Sequence, residues 1–337
     1  MKNVHILVSA DALAKYRAAI EQIAAQAPSP TAVTWVLPSD DSALHERIEI
    51  AFITREVTGA STKTHILPDL AKFYVALRRA TGLRWVHNHA SGTDRPIFAE
   101  LRERGVRITT SSGVNADPVA HTAVGALIAL ARKFPRLWRA QQATQWVPML
   151  NDPELPDLTG QTAMVIGMGP IGRKIGRILH AMDMQVIGVT RQPNSYTHTT
   201  GFSQVLGFDD LEPVLAQTRH VLLACPLTAQ TQELVNAAFM KRLPQGAVVI
   251  NVSRGQVIHQ DDLIEALQSH LGGAFLDVFA VEPLDVDSPL WRMPHVLISP
   301  HTAGHFTGYA EKVAALFMHN LSCYLSDQVL TNEWLPS

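Results

Sequence analysis

Short apolar runs alternate with helical stretches twice along this chain, and that rhythm limits the fold more than any other feature. In the first part the strand-like runs are Val4–Ala10, Ala32–Leu37, Ile48–Thr54, Leu83–His89 and Val106–Ser111. Helix-like stretches lie among them near Ala12–Gln26, Pro68–Ala80 and Pro96–Arg104. The second series comprises Thr162–Gly167, Gln185–Thr190, His220–Cys225, Ala247–Val252, Gly272–Phe279 and His295–Pro300. Apolar strands of this length, separated by helices, build parallel βαβ units. Two such series predict two doubly wound domains. Only the rhythm recurs; no residue pattern repeats as it does in solenoids or propellers.

Between the series, Pro118–Phe134 is rich in small residues and starts well as a helix at Asp117-Pro118. Few charges interrupt it before Arg132, so most of its faces are expected to be buried, either inside the chain or against a second subunit. Gln141–Gly160 follows as a polar crossing segment carrying Pro148, Pro153 and Pro156.

Composition narrows the classes. A chain of 337 residues with 47% hydrophobic content can bury two ordinary cores. A net charge of -2 offers nucleic acid no electrostatic footing. Two cysteines, Cys225 and Cys323, do not make a disulfide framework. The fifteen histidines show no zincin spacing, and His87-Asn88-His89 ends an apolar strand pattern, so no metal is expected. His5–Ala10 is too short for a signal-peptide core, and no run approaches the ~20 apolar residues of a membrane helix. A cytoplasmic setting without membrane or nucleic-acid partners is therefore expected.

The segment GMGPIG places Gly167, Gly169 and Gly172 after a predicted strand and at the opening of a predicted helix. In that context the first glycine allows a tight turn, the second lets backbone approach a pyrophosphate, and the third lets helix and strand pack closely. Free N–H groups and the helix dipole then face the phosphates. Pro170 suits the first helical turn, and Ile171 completes the loop. The same glycines without that context would be an ordinary strand–helix turn. The next predicted strand ends at Thr190-Arg191-Gln192, where an NAD site normally places an acid on the ribose 2′-OH. The missing carboxylate and the arginine argue for NADP, with NAD possible, although a surface arginine beside a non-selective site reads the same way.

Three further segments supply chemistry: NVSRG with Arg254, LDVFAVEP with Glu282, and SPHTAG with His301. A 2-oxo acid needs a forked cation for its carboxylate. Its developing alkoxide needs an acid that works near neutrality, which histidine supplies. A neighbouring carboxylate stabilises the imidazolium and orients it.

In this order these segments resemble the D-isomer-specific 2-hydroxyacid dehydrogenase family, and within it the glyoxylate/hydroxypyruvate reductases. The resemblance runs from about Leu83 to Pro300, supported by Ala90–Asp94, Arg104–Ala120, Leu158–Arg173, Cys225–Thr231 and Ser288–Val296. It implies that Arg254 binds the substrate carboxylate and polarises the carbonyl, that His301 donates the proton, and that Glu282 pairs with the histidine. It places Asp277 near the nicotinamide, although a strand-end cap would look alike. It assigns Cys225, Pro226 and Thr231 to the adenosine and ribose, puts Val252 and Ser253 beside the cofactor, and gives Ser91, Gly92 and Thr93 to the substrate carboxylate. Two positions depart from the family: Thr93 stands where Val or Ile is common, and His121 where Glu is usual.

The implied architecture is a flavodoxin-like substrate domain, 1–110 with 300–337, around a Rossmann-type cofactor domain, 111–299, with a cleft between them. The implied activity is reduction of a short 2-oxo acid to the D-2-hydroxy acid by a homodimer. Alternatives are a dinucleotide-sensing corepressor, which carries extra interaction segments, and a dehydrogenase for a bulkier substrate. Formate dehydrogenases carry glutamine opposite the histidine, so Glu282 argues against them. Long phosphoglycerate dehydrogenases require an added regulatory domain.

Overall fold

In the computed structural model, residues 2–61, 65–150, 155–196 and 200–334 are described. Pro153 of the crossing segment lies outside them. The chain forms two compact units, Met1–Val114 with Thr307–Ser337 and Asn115–Phe306.

The first unit runs β1 (Lys2–Leu7), α1 (Ala10–Ala25), β2 (Thr31–Val36), α2 (Ser42–Glu46), β3 (Ile50–Ile53), α3 (Arg55–Thr58), α4 (Pro68–Arg79), β4 (Trp85–Asn88), α5 (Pro96–Glu103) and β5 (Arg107–Thr110). A C-terminal helix, Tyr309–Leu325, completes it. The strands form a parallel sheet in the order β2-β1-β3-β4-β5, the flavodoxin-like arrangement. Because alternate side chains point to opposite faces, each strand feeds two cores. Leu7, Ala51, Ile53 and Val86 pack with α4 and α5. Ile6, Ile50, Phe52 and Trp85 pack with α1 and the C-terminal helix, where Phe317 stacks on Phe52 with ring centroids 4.3 Å apart. The backbone after that helix caps the sheet edge: Trp334 N donates to Ile108 O, and Arg107 meets Glu333 through two bonds of 2.8 and 2.7 Å.

One buried polar group in this unit carries a consequence for stability. His87 in β4 is fully buried, with Nδ1 2.7 Å from Thr109 Oγ1 and Nε2 3.1 Å from Ser111 Oγ. Burial, with the neighbouring His89, pushes its pKa down to about 3. Its folded value lies below the ordinary one, so the unfolded chain binds the extra proton as pH falls below about 6.5. Stability from this group is full above that value and declines down to about pH 3, on the order of 1.4 kcal/mol per pH unit. Urea unfolding at pH 7.5, 6 and 5 should show the decline, and His87→Gln should reduce its slope. An identical slope in both proteins would exclude His87 as its source.

The second unit continues with α6 (Ala116–Ala131), α7 (Phe134–Gln142), β6 (Thr162–Ile166), α8 (Pro170–Ala181), β7 (Gln185–Val189), β8 (Gln204–Leu206), α9 (Glu212–Leu215), β9 (Thr218–Leu223), α10 (Ala237–Lys241), β10 (Val248–Asn251), α11 (Gln260–Ser269), β11 (Gly273–Leu276) and β12 (Val296–Ile298). Its parallel sheet has the order β12-β11-β10-β9-β6-β7-β8, a Rossmann sheet with one added edge strand. Ala163, Val165 and Ile250 face α6 and α8, whereas Met164, Ile166 and Val249 face α10 and α11. Two elements differ from the sequence expectation. Lys133 adopts a left-handed φ of 57°, which ends α6 and lets α7 start inside the region expected to be partly helix and partly polar crossing. The edge strand β8 is three residues long and holds only two apolar residues, too few to stand out as a strand.

Candidate active site

In an open doubly wound sheet, ligands sit beyond the strand C-termini where strand order reverses. In the second unit that point lies between β6 and β9. Gly167 follows β6 with φ 101°, and a Cβ there would lie 2.6 Å from Ala224 O, in the turn after β9. Gly172 lies inside α8, where a Cβ would fall 1.8 Å from Gly167 O. These two glycines permit the sharp turn and the close helix–strand contact. Gly169, the residue before the helix, has an extended backbone, and a Cβ there would meet nothing within 4 Å. The loop therefore leaves backbone open at the N-terminus of a twelve-residue helix that begins at Pro170. Ile171 packs toward the α6 side, and Arg173 Nη1 braces the turn by donating to Met168 O at 2.9 Å. Geometry and helix polarity suit a pyrophosphate.

The remaining candidate cofactor positions lie after successive strands. Thr190, half-buried, directly follows β7 with its N–H on Leu206 O, and Arg191 and Gln192 come next, exposed. Cys225 after β9 is buried, and burial pushes its thiol up to about 11, so it stays protonated near neutral pH. Thr231 Oγ1 donates to Pro226 O at 2.7 Å and accepts from Thr228 N at 2.8 Å, which ties the 226–231 loop into a closed turn. After β10, Val252 and Ser253 are buried.

Asn251, a residue without an expected role, organises the arginine. Its Oδ1 accepts from Ser253 N and Oγ at 3.0 and 2.8 Å, and its Nδ2 donates to Arg254 O at 3.0 Å. Arg254 Nη1 donates to Ser253 O at 2.8 Å. Gly255 then touches the loop after β11: a Cβ there would lie 1.8 Å from Phe279 C and 2.1 Å from Phe279 O. Gln256 adds a 2.9 Å bond to Ala280 O. Glycine at this position thus lets the arginine loop and the glutamate loop lie against each other. The signal was present in NVSRG, but sequence alone does not say what a motif glycine packs on.

Glu282 Oε1 accepts from Phe279 N at 3.1 Å, and Oε2 lies 3.0 Å from His301 Nδ1. Partial burial would raise this carboxyl. The hydrogen bond and charge of His301, the Phe279 N–H and the Arg254 charge outweigh it and hold the pKa below the ordinary range. The same balance places Arg254 electrostatically beside the pair. His301 has a left-handed φ of 56°, held where its N–H donates to Asp277 O at 2.8 Å. Asp277 Oδ1 also accepts from Ser299 Oγ, Thr302 N and Ala303 N, at 2.5, 2.8 and 3.0 Å. One oxygen of Asp277 therefore shapes the loop that carries His301, which is the strand-end cap foreseen as its alternative. With Nδ1 on Glu282, the Nε2 of His301 has no hydrogen bond among the described residues.

The structure thus gathers Arg254, Glu282 and His301 in the second unit, at the same sheet edge as the glycine loop. Ser91, Gly92 and Thr93 belong to the first unit, between β4 and α5, where Asn88 Nδ2 donates to Gly92 O at 3.0 Å. No helix among the described residues is long and apolar enough to cross a membrane.

Comparison with known proteins agrees with this geometry. Residues 124–303 match the family model described as D-isomer specific 2-hydroxyacid dehydrogenase, NAD binding domain. The chain is 29% identical to glyoxylate reductase/hydroxypyruvate reductase of Homo sapiens, over 86% of this chain and 88% of that protein. It is 28% identical to glyoxylate/hydroxypyruvate reductase B of Yersinia enterocolitica, over 88% and 94%. Among solved structures it resembles a D-isomer specific 2-hydroxyacid dehydrogenase of Xanthobacter autotrophicus in complex with NADPH and MES, with a TM-score of 0.76, 26% identity and coverage of 100% and 99%. With the family match spanning the glycine loop, Arg254, Glu282 and His301, the chain belongs to the D-isomer-specific 2-hydroxyacid dehydrogenases, oxidoreductases that work with a nicotinamide dinucleotide.

Proposed function

We propose that this protein reduces a short 2-oxo acid of the glyoxylate or hydroxypyruvate kind to the D-2-hydroxy acid with NADPH. The observation that carries the reading is the 3.0 Å Glu282–His301 bond beside Arg254, which leaves His301 Nε2 available as a proton donor. Gly167, Gly169, Pro170, Ile171 and Gly172 would hold the pyrophosphate, and the bound cofactor supplies the hydride. Arg254 holds the substrate carboxylate and polarises the adjacent carbonyl. As the carbonyl carbon gains the hydride, its oxygen gains the proton from His301 Nε2. Glu282 stabilises the imidazolium that donates it and keeps the ring oriented through Nδ1. Two electrons and one proton enter the 2-oxo acid as hydride, and a second proton comes from His301.

The cofactor preference rests on Thr190 and Arg191, and the NADPH bound to the Xanthobacter relative supports it. A homodimer completes the proposal. Phe134, Trp138 and Trp291 expose 53%, 63% and 52% of their surfaces. They line one apolar groove between α7 and the 291–297 segment. A contiguous patch of this kind suits a second copy of the chain.

Purified protein assayed with glyoxylate, hydroxypyruvate, pyruvate and bulkier 2-oxo acids, with NADPH and with NADH, tests the reading. Turnover of the short acids with NADPH is expected. Absence of turnover with every acid and both cofactors would reject the enzyme.

A further inference from the structure

Asn251 is the last residue of β10, with 1% of its surface exposed. It stands in register with Leu223 of β9 on one side and Leu276 of β11 on the other. A polar side chain in such a place is costly unless its polar atoms find partners. Both do so nearby. Oδ1 accepts from Ser253 N and Oγ, and Nδ2 donates to Arg254 O. All of these partners lie two or three residues further along the chain, so the amide closes one turn and holds nothing distant.

That turn carries the arginine. Arg254 has an extended backbone, φ -138° and ψ 141°, before the short turn Gly255–Val257 begins. Its carbonyl oxygen also accepts from Val257 N at 3.2 Å, so a second donor converges on it beside Asn251. Asn251 thus grips the Val252–Ser253 peptide through its N–H and the Arg254–Gly255 peptide through its carbonyl. The peptide between them offers Ser253 O, which accepts from Arg254 Nη1 at 2.8 Å. The guanidinium is therefore aimed from a peptide held on both sides by one buried amide.

The main chain of the same residue leads to the acid. Asn251 O accepts from Asp277 N at 3.0 Å, and Asp277 O accepts from His301 N at 2.8 Å. The side chain of Asn251 holds the arginine turn while its carbonyl holds the first link of the path to the histidine. With both polar atoms of its side chain engaged inside the turn, Asn251 acts through Arg254 and not on a ligand.

We propose that Asn251 is a positioning residue for substrate capture, its amide holding Arg254 at the angle at which the guanidinium meets the 2-oxo carboxylate. This rests on the reductase reading and adds a residue to it. The donor arm on Arg254 O and the acceptor arm on Ser253 are separable. Loss of the donor arm alone should weaken the substrate and spare the cofactor, because Ser253 keeps its bonds and the glycine loop after β6 makes none to Asn251 among the described residues.

Asn251→Asp makes that separation: it keeps an acceptor for Ser253 and turns the donor facing Arg254 O into a second acceptor. KM for the short 2-oxo acid that wild type turns over best should rise roughly ten- to hundredfold, the loss expected for one buried hydrogen bond. Kd for NADPH, read from cofactor fluorescence, should stay within about threefold of wild type. Arg254→Lys gives a second axis, because lysine lacks the fork that the turn aims. Adding Asn251→Asp to Arg254→Lys should then cost only a few-fold more in kcat/KM, since both changes remove the same aimed contact; a residue that merely stabilised the domain would multiply the two losses. Asn251→Ser, which empties the site without placing a charge in it, carries the same expectation for KM if Asn251→Asp fails to fold. An unchanged KM in the folded variant overturns this inference while wild-type turnover keeps the reductase reading. So do a loss of NADPH affinity in Asn251→Asp as large as the rise in KM, and losses that multiply. No turnover of any 2-oxo acid by wild type overturns both.

Discussion

His301→Ala should lower kcat by ~10²–10⁴-fold while leaving KM for the 2-oxo acid within a few-fold of wild type. General acid catalysis contributes about that factor, and it acts where the oxygen becomes basic, in the transition state. The geometry supports a clean deletion. The loop bearing His301 is held by Asp277 through Ser299, Thr302 and Ala303, none of which involves the imidazole. Alanine there also inherits a left-handed backbone, so melting curves should accompany the kinetics, and His301→Asn, which tolerates that conformation better, provides the control. Arg254→Ala should fail differently. Under the proposed role it would remove the cation that holds the carboxylate in ground and transition states alike, so KM should rise strongly and kcat should fall as well. Near-normal turnover in both His301 variants would take the histidine out of the acid role.

The second large effect concerns cofactor choice. Thr190→Asp with Arg191→Ala should weaken NADPH sharply and improve NADH. The new carboxylate would accept from a free 2′-OH and repel a 2′-phosphate, and the lost guanidinium no longer pairs with it. Each charge-assisted bond to the phosphate is worth about 1.5–3 kcal/mol, or roughly ten- to hundredfold in affinity. Thr190 directly follows β7 with its backbone bonded to Leu206 O, so its side-chain position is set by the sheet. Arg191 is exposed, so its attraction for a 2′-phosphate is open to screening and the preference should weaken as salt rises. The measurement is kcat/KM for both cofactors in wild type and double mutant. A wild type that prefers NADH, or a ratio the double mutant leaves unmoved, sinks the assignment.

The two parallel sheets were legible because βα alternation is a local pattern, and each strand of four residues or more follows an apolar run. β8 was not, since Gln204-Val205-Leu206 offers only two apolar residues, whereas the equally short edge strand β12 lies within the longer apolar run HVLISP. Nor was α7, a short helix that starts just after the left-handed Lys133, where the expected helix Pro118–Phe134 stops. In the site, chemistry was readable and support was not. Arg254, Glu282 and His301 stand out because the proposed reaction calls for side chains of those types. Asn251 reads as one more strand-end polar residue until its three hydrogen bonds are seen.

The contact of Gly255 with the Phe279–Ala280 backbone has a consequence for how such an enzyme can diversify. With no room for even a methyl group between them, the segment that grips the carboxylate and the segment that buttresses the acid must travel as one piece. A mutation that shifts either segment displaces both, so selection has little freedom to enlarge or reshape the substrate site there.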